Sequence, residues 1–165
     1  MIPRERYLDM WKKPGRPNQA FVFDSPNGAA VWARQVDLRL VPRYDQLMVD
    51  LSKRTLEHYH DGELIDRFRV GIGRPEYPTA LGTFYVWQKV NFDEWYGPYG
   101  IYALGLSGFS AVLLDWPGGG RMAIHGTGDP SDRGREVSHG CIRVYNEGMK
   151  LLRRIPLGTP VVIQP

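Results

Sequence analysis

The sequence predicts a mostly β protein: an antiparallel β-sandwich or barrel-like sheet with one short late helix. Several short segments alternate apolar and polar residues, as half-buried strands do. The 19 glycines and 13 prolines make up about a fifth of the 165 residues and break the chain into short pieces joined by tight turns. Helical periodicity is confined to one stretch near the C-terminus.

Residues 1–20 contain Lys12-Lys13-Pro14-Gly15-Arg16-Pro17-Asn18 and no sustained period, which reads as an irregular arm. Val36–Leu40 alternates around Asp37 and Arg39, and Leu47, Val49 and Leu51 repeat that period, so both segments read as strands. Asp61-Gly62 then supplies the two positive-φ residues of a type I′ hairpin turn. Beyond it, Leu64, Asp66, Phe68, Val70 and Ile72 share one face, with Ile65, Arg67 and Arg69 on the other. Thr83–Val90 is a further strand, with Phe84, Val86 and Val90 on one side.

Asn91–Gly108, rich in Tyr and Gly, is expected to form long loops. Ala111–Trp116 and Arg121–His125 read as a strand pair across Pro117-Gly118-Gly119-Gly120. In the helix, Asn146 is the expected cap, Met149, Leu152 and Ile155 the apolar stripe, and Lys150, Arg153 and Arg154 the cations near its negative end. Pro156 stops the helix, and Pro160–Ile163 closes the chain as a strand.

Composition narrows the function. Lys plus Arg exceed Asp plus Glu by three, and the cations are scattered, so no nucleic-acid surface is expected. The lone cysteine, Cys141, excludes an internal disulfide and a cysteine-rich zinc site. The longest apolar runs are too short to cross a bilayer, and the first residues lack the apolar core of a signal peptide. His58 and His60 lie two apart without an evident third ligand and read as exposed hairpin histidines rather than a metal pair. Gly71-Ile72-Gly73 leads into Pro75 and Pro78, which rules out the helix that a dinucleotide fingerprint needs. No metal and no cofactor are expected.

Chemistry concentrates in Ile124-His125-Gly126-Thr127 and Ser138-His139-Gly140-Cys141-Ile142-Arg143-Val144. A thiol becomes a useful nucleophile when an imidazole accepts its proton, and its pKa can then fall well below the free value of about 8.5. Gly140 permits a strained turn that aims consecutive amide N–H groups at a developing oxyanion. The same residue types also fit a buried inert cysteine beside two surface histidines.

These two segments resemble the signature of the L,D-transpeptidase catalytic domain, the YkuD-type family of peptidoglycan cross-linking enzymes. Val49-Asp50-Leu51-Ser52, Gly71-Ile72-Gly73, Pro78-Thr79-Ala80-Leu81-Gly82-Thr83-Phe84 and Gly158-Thr159-Pro160-Val161-Val162-Ile163 look like its other landmarks, in order. Ala80 stands where the family often has proline. Gly126 stands where some members have serine, so a backbone carbonyl is expected to orient the imidazole.

The resemblance implies a catalytic domain over 46–165, preceded by an arm and pre-catalytic segment over 1–45. It also implies an extracytoplasmic site of action, with an export signal upstream of this start, and a monomer working on peptidoglycan stem peptides. In the implied reaction Cys141 attacks the carbonyl of the third residue of a stem tetrapeptide, releases D-alanine and leaves a thioester. His125 is the expected base, and the amides of His139, Gly140 and Cys141 the expected oxyanion donors. Arg143 binds a substrate carboxylate or braces the loop, Ser138 and Thr127 hold loops, and Tyr96 and Tyr99 line a groove or pack a loop. An L,D-carboxypeptidase and a non-catalytic wall-binding module are the alternatives.

Overall fold

This computed structural model describes residues 19–24, 30–34, 45–113 and 119–165, the first two stretches as backbone only. Strands β1 (Gln19–Asp24) and β2 (Ala30–Arg34) pair antiparallel with each other. Then follow β3 (Asp45–Asp50), β4 (Thr55–His60), β5 (Glu63–Gly73), β6 (Gly82–Asn91), β7 (Tyr102–Phe109) and β8 (Arg121–Thr127). After them come β9 (Glu136–Ser138), β10 (Ile142–Tyr145), helix α1 (Asn146–Leu152) and β11 (Pro160–Gln164).

The strands lie in the order β10-β8-β7-β6-β11-β3-β4-β5, and β10 pairs again with β5, so the sheet closes on itself. The barrel-like, mostly antiparallel architecture expected from the sequence is what forms. Only β10–β8, β11–β3 and the outer β5–β9 contact are parallel. Closure removes the unpaired sheet edges that invite aggregation.

Period-2 patterning places Leu47, Val49, Leu56, Val70, Val86, Leu104, Ile124, Ile142, Val144, Val161 and Ile163 in one core. Met149 and Leu152 of α1, with Ile155 beyond it, complete that core, and each side chain so buried contributes about 1.5–3 kcal/mol. Asp61 and Gly62 adopt φ of 50° and 83°, the two left-handed positions of the turn read from the sequence.

The structure departs from the sequence reading at several points. The last seven of the eighteen residues in the supposed loop Asn91–Gly108 belong to β7, a central strand. Its glycines are packing devices: a Cβ on Gly105 would come within 2.9 Å of Trp87 Nε1, and one on Gly108 would strike the Phe84 ring. Ala111, Val112 and Leu113 are not strand, and β8 pairs with β7 instead. The expected strand Val36–Leu40, residues 1–18 of the expected arm over 1–20 and residues 114–116 of the expected strand Ala111–Trp116 lie outside the described residues, while Gln19 and Ala20 at the end of that arm belong to β1.

Two side chains also differ from expectation. Asn146 does not cap α1; Tyr145 holds that position without a side-chain cap bond, and Asn146 is fully buried. Nor is His58 an exposed hairpin histidine, because its Nε2 lies 2.6 Å from Asp45 Oδ1 and the side chain is largely covered. Among the described residues no helix is long and apolar enough to cross a membrane.

Candidate active site

β8 and β10 run side by side in parallel, with Arg143 beside His125 and Ile142 beside Ile124. This pairing brings the two sequence motifs together, because Cys141 immediately precedes β10 and His125 lies near the end of β8. A cavity of about 300 Å³ opens there, with His125, Ser138, His139, Cys141, Arg143 and Tyr99 on its walls.

His125 is buried, and its Nδ1 lies 2.8 Å from the Gly126 carbonyl oxygen. A carbonyl only accepts, so Nδ1 carries the proton and Nε2 keeps its lone pair. Burial pushes the imidazole pKa down to about 4; the Arg143 charge adds to this, and the Gly126 bond and Asp132 oppose it. The ring is therefore neutral at about pH 7. Tyr99 meets it edge-on at 5.3 Å and stacks its other side on Phe92 at 5.1 Å.

The Cys141 thiol is half-buried, and burial pushes its pKa up, while a backbone hydrogen bond at Ala123 and the charge of Arg143 pull it down. The sequence argument expected a lowered thiol. The structure reverses this, because a desolvated thiolate gains nothing from an imidazole that burial keeps uncharged. The resting pair is a neutral thiol and a neutral imidazole.

Gly140 sits at φ 109°, a conformation other residues rarely adopt. The Ser138 hydroxyl ties this turn from within, donating to the Cys141 carbonyl at 2.5 Å and accepting from the Gly140 N–H at 3.1 Å. The Gly140 amide is thus taken up by the loop. His139 directs its ring onto the cavity wall, where Arg74 Nη2 contacts its Nε2 at 2.5 Å and the Tyr77 ring packs at 4.7 Å.

Arg143 makes a 3.2 Å ion pair with buried Asp132, which also accepts the Thr127 hydroxyl at 2.7 Å. The Thr127 oxygen in turn accepts the Asp129 amide. Tyr96 is 87% exposed and lies apart from the cysteine cavity, on a neighbouring recess that also touches Thr127 and Arg143.

Sequence reasoning missed Arg74, Asp132 and Asn146. Asn146 Nδ2 donates to the Trp95 carbonyl at 2.7 Å and its Oδ1 accepts the Ile101 amide at 3.2 Å, fixing the segment that carries Tyr99. A polar residue opening an amphipathic helix looks like a cap, and only a count of the backbone groups left unpaired in the 95–101 segment exposes the other role.

The L,D-transpeptidase catalytic domain model, YkuD, matches residues 44–163. The putative L,D-transpeptidase YkuD of Bacillus licheniformis is 32% identical over 121 residues, covering 73% of this chain and 66% of the relative. The Bacillus subtilis counterpart is 29% identical over 118 residues, covering 71% and 64%. The chain thus spans slightly under two thirds of the length of these curated relatives. L,D-transpeptidase 3 from Mycobacterium tuberculosis, solved with a faropenem-derived adduct, has the same fold, with TM-score 0.58, 21% identity, and coverage of 73% of this chain and 60% of that one. Through residues 44–163, the chain belongs to the YkuD family of L,D-transpeptidase catalytic domains.

Proposed function

We propose that this domain is a cysteine L,D-transpeptidase acting on peptidoglycan stem tetrapeptides outside the cytoplasm, with 46–165 as its catalytic unit. The observation that carries this reading is the pairing of the lone thiol, Cys141, with the carbonyl-anchored imidazole of His125 on the walls of one cavity.

In this reading His125 Nε2 takes the thiol proton as Cys141 Sγ attacks the carbonyl carbon of the third stem residue. Because both groups rest neutral, proton transfer and C–S bond formation belong to one step, and the nucleophile forms only when a carbonyl is present. Backbone amides of Cys141 and His139 receive the oxyanion, while Gly140, bonded to Ser138, keeps the turn in shape. Each such donor is worth about 3 kcal/mol of barrier. Collapse breaks the C–N bond to D-alanine, whose amine takes the proton from His125, and a thioester remains. An acceptor amine then attacks the thioester; its proton goes to His125 and on to the departing sulfur. Tyr99 covers the imidazole from solvent, and Arg143 braces the wall through Asp132.

Incubating the protein with disaccharide-tetrapeptide and identifying products by mass spectrometry tests the proposal. A cross-linked dimer lacking one D-alanine is expected. Tripeptide as sole product at high acceptor concentration would replace it with a carboxypeptidase, and unchanged substrate with a binding module.

A further inference from the structure

We propose that Arg74 is a positioning residue that locks His139 in its neutral Nδ1–H form and so bars it from acting as the base of the reaction. The inference deepens the proposed function by dividing the two active-site histidines into one proton acceptor and one fixed, non-basic ring, and it rests on that reading for its kinetic consequence only.

Three contacts carry it. Arg74 follows directly on β5, and its Nη2 reaches His139 Nε2. A guanidinium has donors and no acceptor, and it does not deprotonate in proteins, so the nitrogen it touches must hold a lone pair. Nε2 is therefore the acceptor and the ring proton resides on Nδ1. Tyr77, three residues beyond Arg74, packs its ring on His139 at 4.7 Å and lies under the Arg74 guanidinium at 5.4 Å. The guanidinium is thus fixed from below by the aromatic face and from the side by the imidazole.

The two imidazoles are therefore set up in opposite ways. In His125 the anchored atom is Nδ1, bonded to a carbonyl, which leaves Nε2 as a base. In His139 the anchored atom is Nε2, bonded to a cation, so its lone pair is already engaged. Adding a proton there would place an imidazolium against a guanidinium, with a second cation, Arg143, on the same cavity wall. Charged and titratable groups near the ring include Arg74 and Tyr77 from the turn after β5 and Arg143 from β10, and the Cys141 thiol lies on the same cavity wall. In agreement, the His139 pKa is lowered, first by burial and then by Arg74 and Arg143.

The decisive measurement is a long-range ¹H–¹⁵N spectrum of the intact protein, which reports the protonation of each imidazole nitrogen and needs no turnover. In wild type, His139 is expected as the Nδ1–H tautomer, neutral at about pH 7. In Arg74→Met the tautomer preference should be lost and the midpoint should rise toward the ordinary value of about 6.5. The pH profile of Cys141 alkylation should then gain a second inflection. Tyr77→Leu, which removes the ring that fixes the guanidinium, should weaken the tautomer preference in the same direction, so the proposal remains testable even where Arg74→Met fails to fold. An Nε2–H tautomer or an imidazolium on His139 in the wild type at about pH 7 would overturn it. A correct tautomer without cross-linking activity would sink the transpeptidase reading and leave this assignment standing.

Discussion

Asn146 Oδ1 lies so close against the backbone of Gly126 that a Cβ on Gly126 would collide with it. The same amide oxygen accepts the Ile101 N–H, and the Gly126 carbonyl holds His125 Nδ1. The asparagine thus links the segment carrying Tyr99 to the backbone that orients the imidazole.

Gly126→Ala should therefore destabilise the protein by about 1–3 kcal/mol through overpacking, and acylation should slow as the carbonyl partner of His125 is displaced. Asn146→Ala opens the space but leaves the Trp95 carbonyl and the Ile101 amide unpaired, at about 1–3 kcal/mol for each buried group so stranded. The double variant should lose less than the sum of the two, as measured by urea unfolding. Strict additivity would mean that the contact does not couple them.

His125 makes stability depend on pH. Its folded pKa of about 4 lies below the ordinary value of 6.5, so the unfolded chain binds more protons between these values. The stability held by the neutral ring is fully present above about pH 6.5 and is lost as pH falls toward about 4, to the extent of about 3 kcal/mol. Urea midpoints should fall more steeply over that range in wild type than in His125→Gln. Parallel slopes would contradict a buried neutral imidazole.

Under the proposed function, removing His125 should separate reactivity from acidity. His125→Gln is expected to slow acylation of Cys141 by about 10²–10⁴-fold, the usual contribution of a general base. The thiol midpoint read by iodoacetamide should stay above the ordinary value of about 8.5 in both proteins, because the resting imidazole carries no charge. A wild-type midpoint well below this value that rises in the variant would instead indicate a preformed thiolate–imidazolium pair.

Asp132 accepts from both Thr127 and Arg143 and is itself buried. Asp132→Ala should cost about 2–3 kcal/mol by stranding both donors. Under the proposed function, Arg143 freed of its brace should also disturb the cavity wall, raising KM for the stem peptide more than it lowers kcat. Thermal unfolding and steady-state kinetics on the same preparation would check both effects; an unchanged KM would confine Asp132 to stability.

Local information sufficed wherever a residue's own conformation or period decides its place. The Asp61-Gly62 turn follows from tolerance of positive φ, the burial of Leu47 and Val49 in β3, Val70 and Ile72 in β5 and Val86 in β6 follows from period 2, and the inward pair Met149 and Leu152 follows from the helical period, although the helix ends before Ile155. That His125, His139 and Cys141 belong together was legible because their residue types are rare and crowded into two short segments, and the structure places all three on one cavity. What the sequence could not decide depends on contacts distant in the chain. β7 looked like a loop because its glycines make room for Trp87 and Phe84 on the neighbouring strand, a reason invisible within β7 itself. Asn146 looked like a cap because its real partners lie 45 and 51 residues away. The thiol looked open to a lowered pKa because residue types reveal a possible proton transfer to an imidazole, whereas burial, which only the closed sheet supplies, decides where the proton rests.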